Sequence, residues 1–268
     1  PTEAEPVLRN RYQSEPIVMR FRVLSYNIHR AIGVDRRFRP ERIVTIVDNY
    51  KPDIVLLQEV DEGAPRSREL DLAHELAVAL NLPYHAVGHN VTLRKGRYGN
   101  ATLSRYPILS ERNIDLTIDL WKRRGCQHTA IELRSTDEPG HHHRRRLDVF
   151  NLHLGLSAGQ RARQVELLAR SGEMTALPPH AACLVGGDFN DWRSLLVPFL
   201  TAGMNFRSAT DSATGRPLRT YPSFFPRGPL DRIYYRGPLA LLSAYRCRLK
   251  LSRLASDHLP IVADFEIR

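Results

Sequence analysis

The stretch "LVGGDFNDW", residues 184–192, closes an apolar run with a carboxylate and a carboxamide, Asp188 and Asn190. Two residues apart in an extended chain, both would point to one face. The pattern recurs. "RVLSYN" ends at Asn27, "IVLLQE" at Glu59 and "LDVFNLH" at His153, while "SDH" places Asp257 and His258 just before the last apolar run. Glu59, Asp188 and Asp257 are hard oxygen donors. With amides and water they suit Mg²⁺, which keeps several waters and takes one or two carboxylates. Histidines beside them can move protons. Taken singly, an Asn or Asp at a strand end is also what an ordinary turn uses. A Glu directly after an apolar run, or a His within one, asks more insistently for a partner.

The elements that must position these groups are legible as periodicities. "MRFRVLSYNIH" (19–29) and "DIVLLQEV" (53–60) read as strands, with a Pro-initiated helix between them over "PERIVTIVDNY" (40–50). "SRELDLAHELAVALN" (67–81) reads as an amphipathic helix, and "GNATLSRYPI" (99–108) as a strand running into a turn. "HTAIELR" (128–134) and "RLDVFNLHLG" (146–155) form a strand pair whose link carries "HHHRRR" (141–146), read as a solvated hairpin tip. "SAGQRARQVELLARSGEM" (157–174) is a helix with Ser157 as its cap, followed by the strand "ACLVGGDFN". After a loop-rich stretch with one short helix (191–230), strands follow at 231–236, 239–249 and 259–267. Residues 1–18 read as an N-terminal surface arm and 19–268 as a single domain. Strands outnumber helices, and too few helices follow strands for one parallel sheet. Packed sheets with outer helices result.

The 268 residues carry 39 Lys+Arg against 29 Asp+Glu, a net charge of +10. That favours a polyanionic partner, whether nucleic acid, an anionic membrane surface or a phosphorylated small molecule; a basic proteome or simple solubility accounts for it equally well. Three scattered cysteines argue against a disulfide framework or a zinc site, and Cys183 sits in an apolar strand. No apolar run reaches the roughly 20 residues of a membrane span. The lack of a leader or disulfide pattern points to the cytoplasm, and the start at Pro1 leaves room for a removed leader.

Five segments in order, "SYN", "LLQEV", "NLHLG", "GGDFN" and "SDHLP", resemble the endonuclease/exonuclease/phosphatase (DNase I-like) superfamily over about residues 20–267. The resemblance implies an α/β (α+β) four-layer sandwich, two packed mixed β-sheets flanked by helices. It implies a metal-dependent phosphoesterase acting as a monomer with Mg²⁺, or Mn²⁺ in its place. Carried over by position, Glu59 is the main metal ligand, with Asn27 beside it and Asp257 completing the acidic cluster. Asp188 and Asn190 orient the attacking water and hold the phosphate. His258 touches a phosphate oxygen or acts as base, with Asp231 of "PLDRIYY" as its partner. His153 matches the histidine that protonates the leaving oxygen, and Asn100 matches a strand start facing the cleft, as a phosphate-binding residue. Either Asp188 or His258 can be the base.

Three substrate classes follow. A phosphodiesterase or nuclease agrees with the charge and with the basic stretches "LRKGR" (93–97) and "WKRRG" (121–125). Trp121 there would stack on a base or, the favoured reading, cap a local apolar patch. A phospholipid head group or small phosphoester agrees with Phe224 and Phe225, read either as an exposed loop or as core plugs. A catalytically silent phosphate-binding protein is the third.

Overall fold

The structure is a computed structural model and describes residues 18–134, 143–211 and 215–267. The proposed arm at 1–18 therefore lies outside the described residues except for Val18, as do the first two residues of the "HHHRRR" segment. Two six-stranded mixed sheets pack face to face. The first holds β1 (Met19–Asn27), β2 (Ile54–Glu62), β3 (Tyr84–Thr92), β4 (Arg97–Ser104), β11 (Leu239–Arg246) and β12 (Ile261–Ile267). The second holds β5 (Ile108–Asp115), β6 (Gly125–Arg134), β7 (Arg144–His153), β8 (Cys183–Asp188), β9 (Arg207–Ser208) and β10 (Asp231–Arg236). Their orders are β11-β12-β1-β2-β4-β3 and β5-β6-β7-β8-β10-β9. Each sheet has one parallel pair, β1 with β2 and β7 with β8, at its centre.

The apolar runs sort into three clusters that define four layers. Phe21, Val23, Ile54 and Leu56 of the first sheet meet Val149, Leu184 and Ile233 of the second in the middle. The outer face of the first sheet packs on α1 (Pro40–Tyr50) and α2 (Leu72–Ala79) through Ile43, Ile46 and Leu76. That of the second packs on α3 (Ala158–Arg170) and α4 (Gly172–Thr175) through Val165, Leu168 and Met174. Strands buried on both faces read as continuous apolar runs for this reason. No helix of the described residues is long and apolar enough to cross a membrane.

Two local expectations are corrected, and two strands went unread. The helix anticipated from Ser67 begins only at Leu72, because Asp71 caps it by accepting from the His74 backbone N–H; Arg68 and Glu69 before it hold positive φ. The helix read over 157–174 breaks at Ser171, whose extended backbone ends α3 and whose hydroxyl caps α4. Strands β3 and β5 carried no clear alternation because they are sheet edges, and β5 is exposed along nearly all its length.

The glycine pair ahead of Asp188 serves packing. A Cβ on Gly186 would lie 2.8 Å from Leu56 Cδ1 of the facing sheet, and one on Gly187 2.0 Å from the Leu152 carbonyl oxygen. Gly187 also holds φ at +135°, which other residues rarely adopt. Together they let β8 approach both its neighbour and the opposite sheet, and so seat Asp188 at the seam.

Candidate active site

At one end of the sandwich the central strands of both sheets stop together. In the parallel registers Asn27 lies beside Gln58 and His153 beside Asp188, and Asp231 opens β10 directly across from Asp188. The Asn27 Nδ2 crosses between the sheets to donate to Asp188 Oδ2 at 3.0 Å. On the other side of β1, Ser256 Oγ donates to the Asn27 carbonyl oxygen, which fixes Asp257 and His258 at the same end. Glu59 and Asp257 therefore flank Asn27 on neighbouring chain segments.

Asp188, Asp231, His153 and His258 form the buried centre. His258 Nδ1 lies 2.9 Å from Asp231 Oδ2, an oxygen that also accepts from Thr220 Oγ1. His258 Nε2 faces Asp188 Oδ2 at 3.7 Å and His153 Nε2 approaches the same oxygen at 3.4 Å. Burial works against a charged His258, but Asp231 and Asp188 outweigh it and push its pKa up to about 10. Burial and the Asp231 charge raise Asp188 to about 6, against the pull of His258, Asn27 and the Asn190 N–H. At neutral pH the pair is an imidazolium beside a carboxylate. Burial drives His153 well below its ordinary range, helped by Arg124 and His258, so it is neutral. In that neutral form its one ring N–H can donate a hydrogen bond toward a leaving oxygen.

Glu59 sits where the β2–β4 register slips between Gln58 and Val60, with φ at +56°. A bulge residue in the left-handed region costs on the order of 1–3 kcal/mol and re-aims its side chain. It turns Glu59 out of the sheet toward the strand end, where Arg30 Nε is 3.6 Å away. Arg30 belongs to the turn His29–Ala31, in which all three residues have positive φ.

The donor chemistry fits a divalent cation. Among the described residues Glu59 has one ion pair, the long contact with Arg30. Asp257 has a 3.4 Å contact from Ser256, and Asn27 Oδ1 accepts one bond, from the His29 N–H. All three are hard oxygens with lone pairs to spare. Asp188, Asp231 and His258 also present ligand atoms within 4.8 Å of one another. There the His258–Asp231 hydrogen bond takes up Nδ1 and Oδ2, while Asp231 Oδ1 has no hydrogen-bond partner and His258 Nε2 faces Asp188.

Two further expectations change. Asn190 is not extended beyond Asp188. Its φ is +51°, its backbone N–H donates to Asp188 Oδ1 at 2.9 Å, and its Nδ2 donates to the Leu154 carbonyl oxygen. The two side chains come together through this Asx turn, not through strand alternation. Asn100 donates both amide hydrogens to backbone, at the carbonyls of Gly125 (3.2 Å) and Asn151 (3.0 Å). No side-chain donor remains for a phosphate, so the phosphate-binding role is replaced by that of a strut between the sheets.

That strut belongs to a polar clasp the sequence reading missed. Gln58 Nε2 donates to Asn151 Oδ1 at 2.8 Å, and Asn151 Nδ2 donates to the carbonyls of Leu57 and Ala101. An amide in the apolar run "LDVFNLH", two residues before His153, was the available signal. Arg124, read only as part of the basic stretch "WKRRG", is buried, with its Nε unpartnered, in the field of His153. Tyr221 was missed; its ring packs on His258 at 4.9 Å. Trp121 is 65% exposed, against the favoured capping role, and Phe224 and Phe225 are exposed, not core plugs. In "LRKGR", Lys95 and Arg97 are paired with Glu69 and Glu62. All three cysteines are free and buried.

A family model described as Endonuclease/Exonuclease/phosphatase family matches residues 24–258. A protein of Escherichia coli strain K12 named "Uncharacterized protein YbhP" is 34% identical over 255 residues, 92% of this chain and 96% of its own length. Among solved structures, an endonuclease/exonuclease/phosphatase from Beutenbergia cavernae superposes with a TM-score of 0.74 at 19% identity, covering 92% of this chain and 72% of that one. A mannosyl-6-phosphatase of Bacteroides thetaiotaomicron superposes with a TM-score of 0.68 at 17% identity, covering 91% and 99%.

Proposed function

The chain belongs to the endonuclease/exonuclease/phosphatase family, and from that premise we propose that it is a Mg²⁺-dependent hydrolase that cleaves a phosphoester bond with water, of the phosphodiesterase or nuclease type. The observation that carries the proposal is the buried arrangement of Asp188 between two imidazoles, one charged through Asp231 and one neutral. A carboxylate held ionised beside an imidazolium suits proton abstraction next to an anionic phosphate.

Glu59, Asp257 and Asn27 Oδ1 would hold the ion, Mg²⁺ or Mn²⁺. When bound, it supplies neutralisation of phosphate charge. The chain's own groups do the rest. Asp188, ionised above about pH 6 and fixed by Asn27 and Asn190, accepts the proton of the attacking water. His258 is charged already, so of the two base candidates it suits the phosphate clamp, its Nε2–H aimed by Asp231. His153 donates its neutral N–H, and Arg124 adds positive charge from the same side. Asn190 keeps one amide hydrogen for a phosphate oxygen.

Phe224 and Phe225 favour a second reading, a phospholipid head group or small phosphoester as substrate. Both are exposed, and their loop is tied to the site by the Ser223 N–H donating to the Asp257 carbonyl oxygen at 2.7 Å. A panel of supercoiled plasmid, a phospholipid, and p-nitrophenyl diester and monoester tests the proposal, each with and without EDTA and with Glu59→Gln as control. EDTA-sensitive hydrolysis absent from the variant supports it. EDTA-resistant turnover, or none at all with Mg²⁺ present, rejects it; the second result leaves a phosphate-binding protein.

A further inference from the structure

Beside the catalytic centre lies a second feature that the hydrolase mechanism does not use. A cleft of about 840 Å³ opens between the loop after β8, the loop before β10 and the end of β11. Trp192, Arg193, Arg219, Arg227, Arg246 and Arg248 line it, and no acidic residue does. None of these five guanidinium groups has a carboxylate partner among the described residues. Several arginines elsewhere are paired with carboxylates, as at Arg22–Asp264, Arg42–Asp35 and Arg66–Asp61. Five unopposed cations around one concavity repel one another, so the arrangement asks for an anion with several charges.

The cleft is joined to the site by rings. Trp192 meets Tyr221 edge-on at 5.5 Å, and Tyr221 packs on His258 at 4.9 Å. The indole is wedged over Gly228, where a Cβ would come within 2.7 Å of it, yet it stays 49% exposed. Arg227 lies over the exposed Phe225 ring at 4.6 Å. Arg246 Nη1 is held to the Arg219 carbonyl oxygen at 2.9 Å. Cations interleaved with half-exposed aromatic faces form the surface on which a single-stranded polynucleotide binds, its phosphates on arginines and its bases stacked. The charges line a concavity, which a bendable strand can enter and a flat membrane face cannot follow.

We propose that this arginine cleft is an exosite for a single-stranded polynucleotide, leading the strand past Trp192 to the phosphate held at His258. As the substrate class of the active site, this rests on the hydrolase reading; as a binding site it does not.

The test is fluorescence anisotropy with a labelled oligothymidylate in EDTA, so that no cleavage intervenes. Five phosphate contacts give a slope of log K against log salt of about −3.5. The triple variant Arg193→Ala, Arg227→Ala, Arg248→Ala should lower the slope to about −1.4 and weaken binding about 100-fold near 0.1 M salt. The corresponding triple lysine variant, with its charge intact, should bind within about fivefold of the wild type. Binding by the alanine variant within threefold of wild type overturns the proposal. So does equal loss in the lysine variant. So does capture of phosphatidylglycerol vesicles, lost in the alanine variant, by a protein that does not bind the oligonucleotide. Hydrolysis of bis(p-nitrophenyl) phosphate by the wild type, measured separately with Mg²⁺, addresses the other reading. Oligonucleotide binding with this variant pattern but no hydrolysis supports the exosite and removes the hydrolase, whereas hydrolysis without binding removes the exosite alone.

Discussion

His258 and Asp231 meet at 2.9 Å although they come from different sheets, one preceding β12 and the other opening β10. The contact fixes which ring nitrogen faces Asp188 and keeps the imidazole charged. Asp231→Asn should therefore reduce kcat for a chromogenic diester by roughly 10²-fold or more, and so should His258→Ala and Asp188→Asn, the scale of general acid–base and charge-stabilising groups. The Asp231→Asn, His258→Ala double variant should be little worse than either single one, because the two act as a unit. Fully multiplicative losses in steady-state kinetics would show that they do not.

Metal binding has a readout independent of turnover. Saturation at 100 times Kd stabilises by about 2.7 kcal/mol, which for a chain of this length raises Tm on the order of 5 °C. Glu59→Gln and Asp257→Asn should each abolish most of the Mg²⁺-dependent rise in differential scanning fluorimetry. If both variants keep the full rise, the ion sits elsewhere, with Asp188, Asp231 and His258 the next candidates.

Gly187→Ala combines a strained φ with a Cβ placed 2.0 Å from the Leu152 carbonyl oxygen. A loss of at least about 2 kcal/mol is expected from backbone strain and overpacking. Urea denaturation measures it; a change within 0.5 kcal/mol would mean that β8 has room to shift.

Asp148 lies away from the site and reports on acid stability. Burial works against its charge, but hydrogen bonds from His128 and Arg146 prevail and lower its pKa. A depressed folded value adds stability that is present above the ordinary carboxylate pKa and is lost as pH falls through the folded one. The stability gap between wild type and Asp148→Asn should be full at pH 7 and shrink below about pH 4. A gap of equal size at pH 3 and pH 7 would assign the effect to packing instead.

Asn100→Ala should behave as a structural lesion. It leaves the Gly125 and Asn151 carbonyls without their donor, at a cost of roughly 1–3 kcal/mol. KM should move less than kcat, since no phosphate contact is removed. A tenfold rise in KM with unchanged stability would restore the phosphate-binding role.

The strands that carry the site were legible because central strands bury both faces and read as solid apolar runs, so the polar residue that ends each one stands out. Asn27, Glu59, His153 and Asp188 were all visible in this way. Edge strands β3 and β5 lacked that contrast. What escaped altogether depends on partners distant in the chain. Neither the inward course of Arg124 nor the clasp between Gln58 and Asn151, 93 residues apart, leaves a periodic trace. The bulge at Glu59 and the Asx turn at Asn190 are departures from strand geometry, which alternation cannot foretell.

The position of β12 between β11 and β1 has a bearing on biogenesis. During translation this strand leaves the ribosome last of the twelve, yet it must insert into the middle of the first sheet. Until it does, β1 and β11 each present a bare edge, and His258 has not reached Asp231. A chain cut short before Ile261 thus keeps two open strand edges ready to pair with another chain, and the His258–Asp231 contact waits on this one insertion.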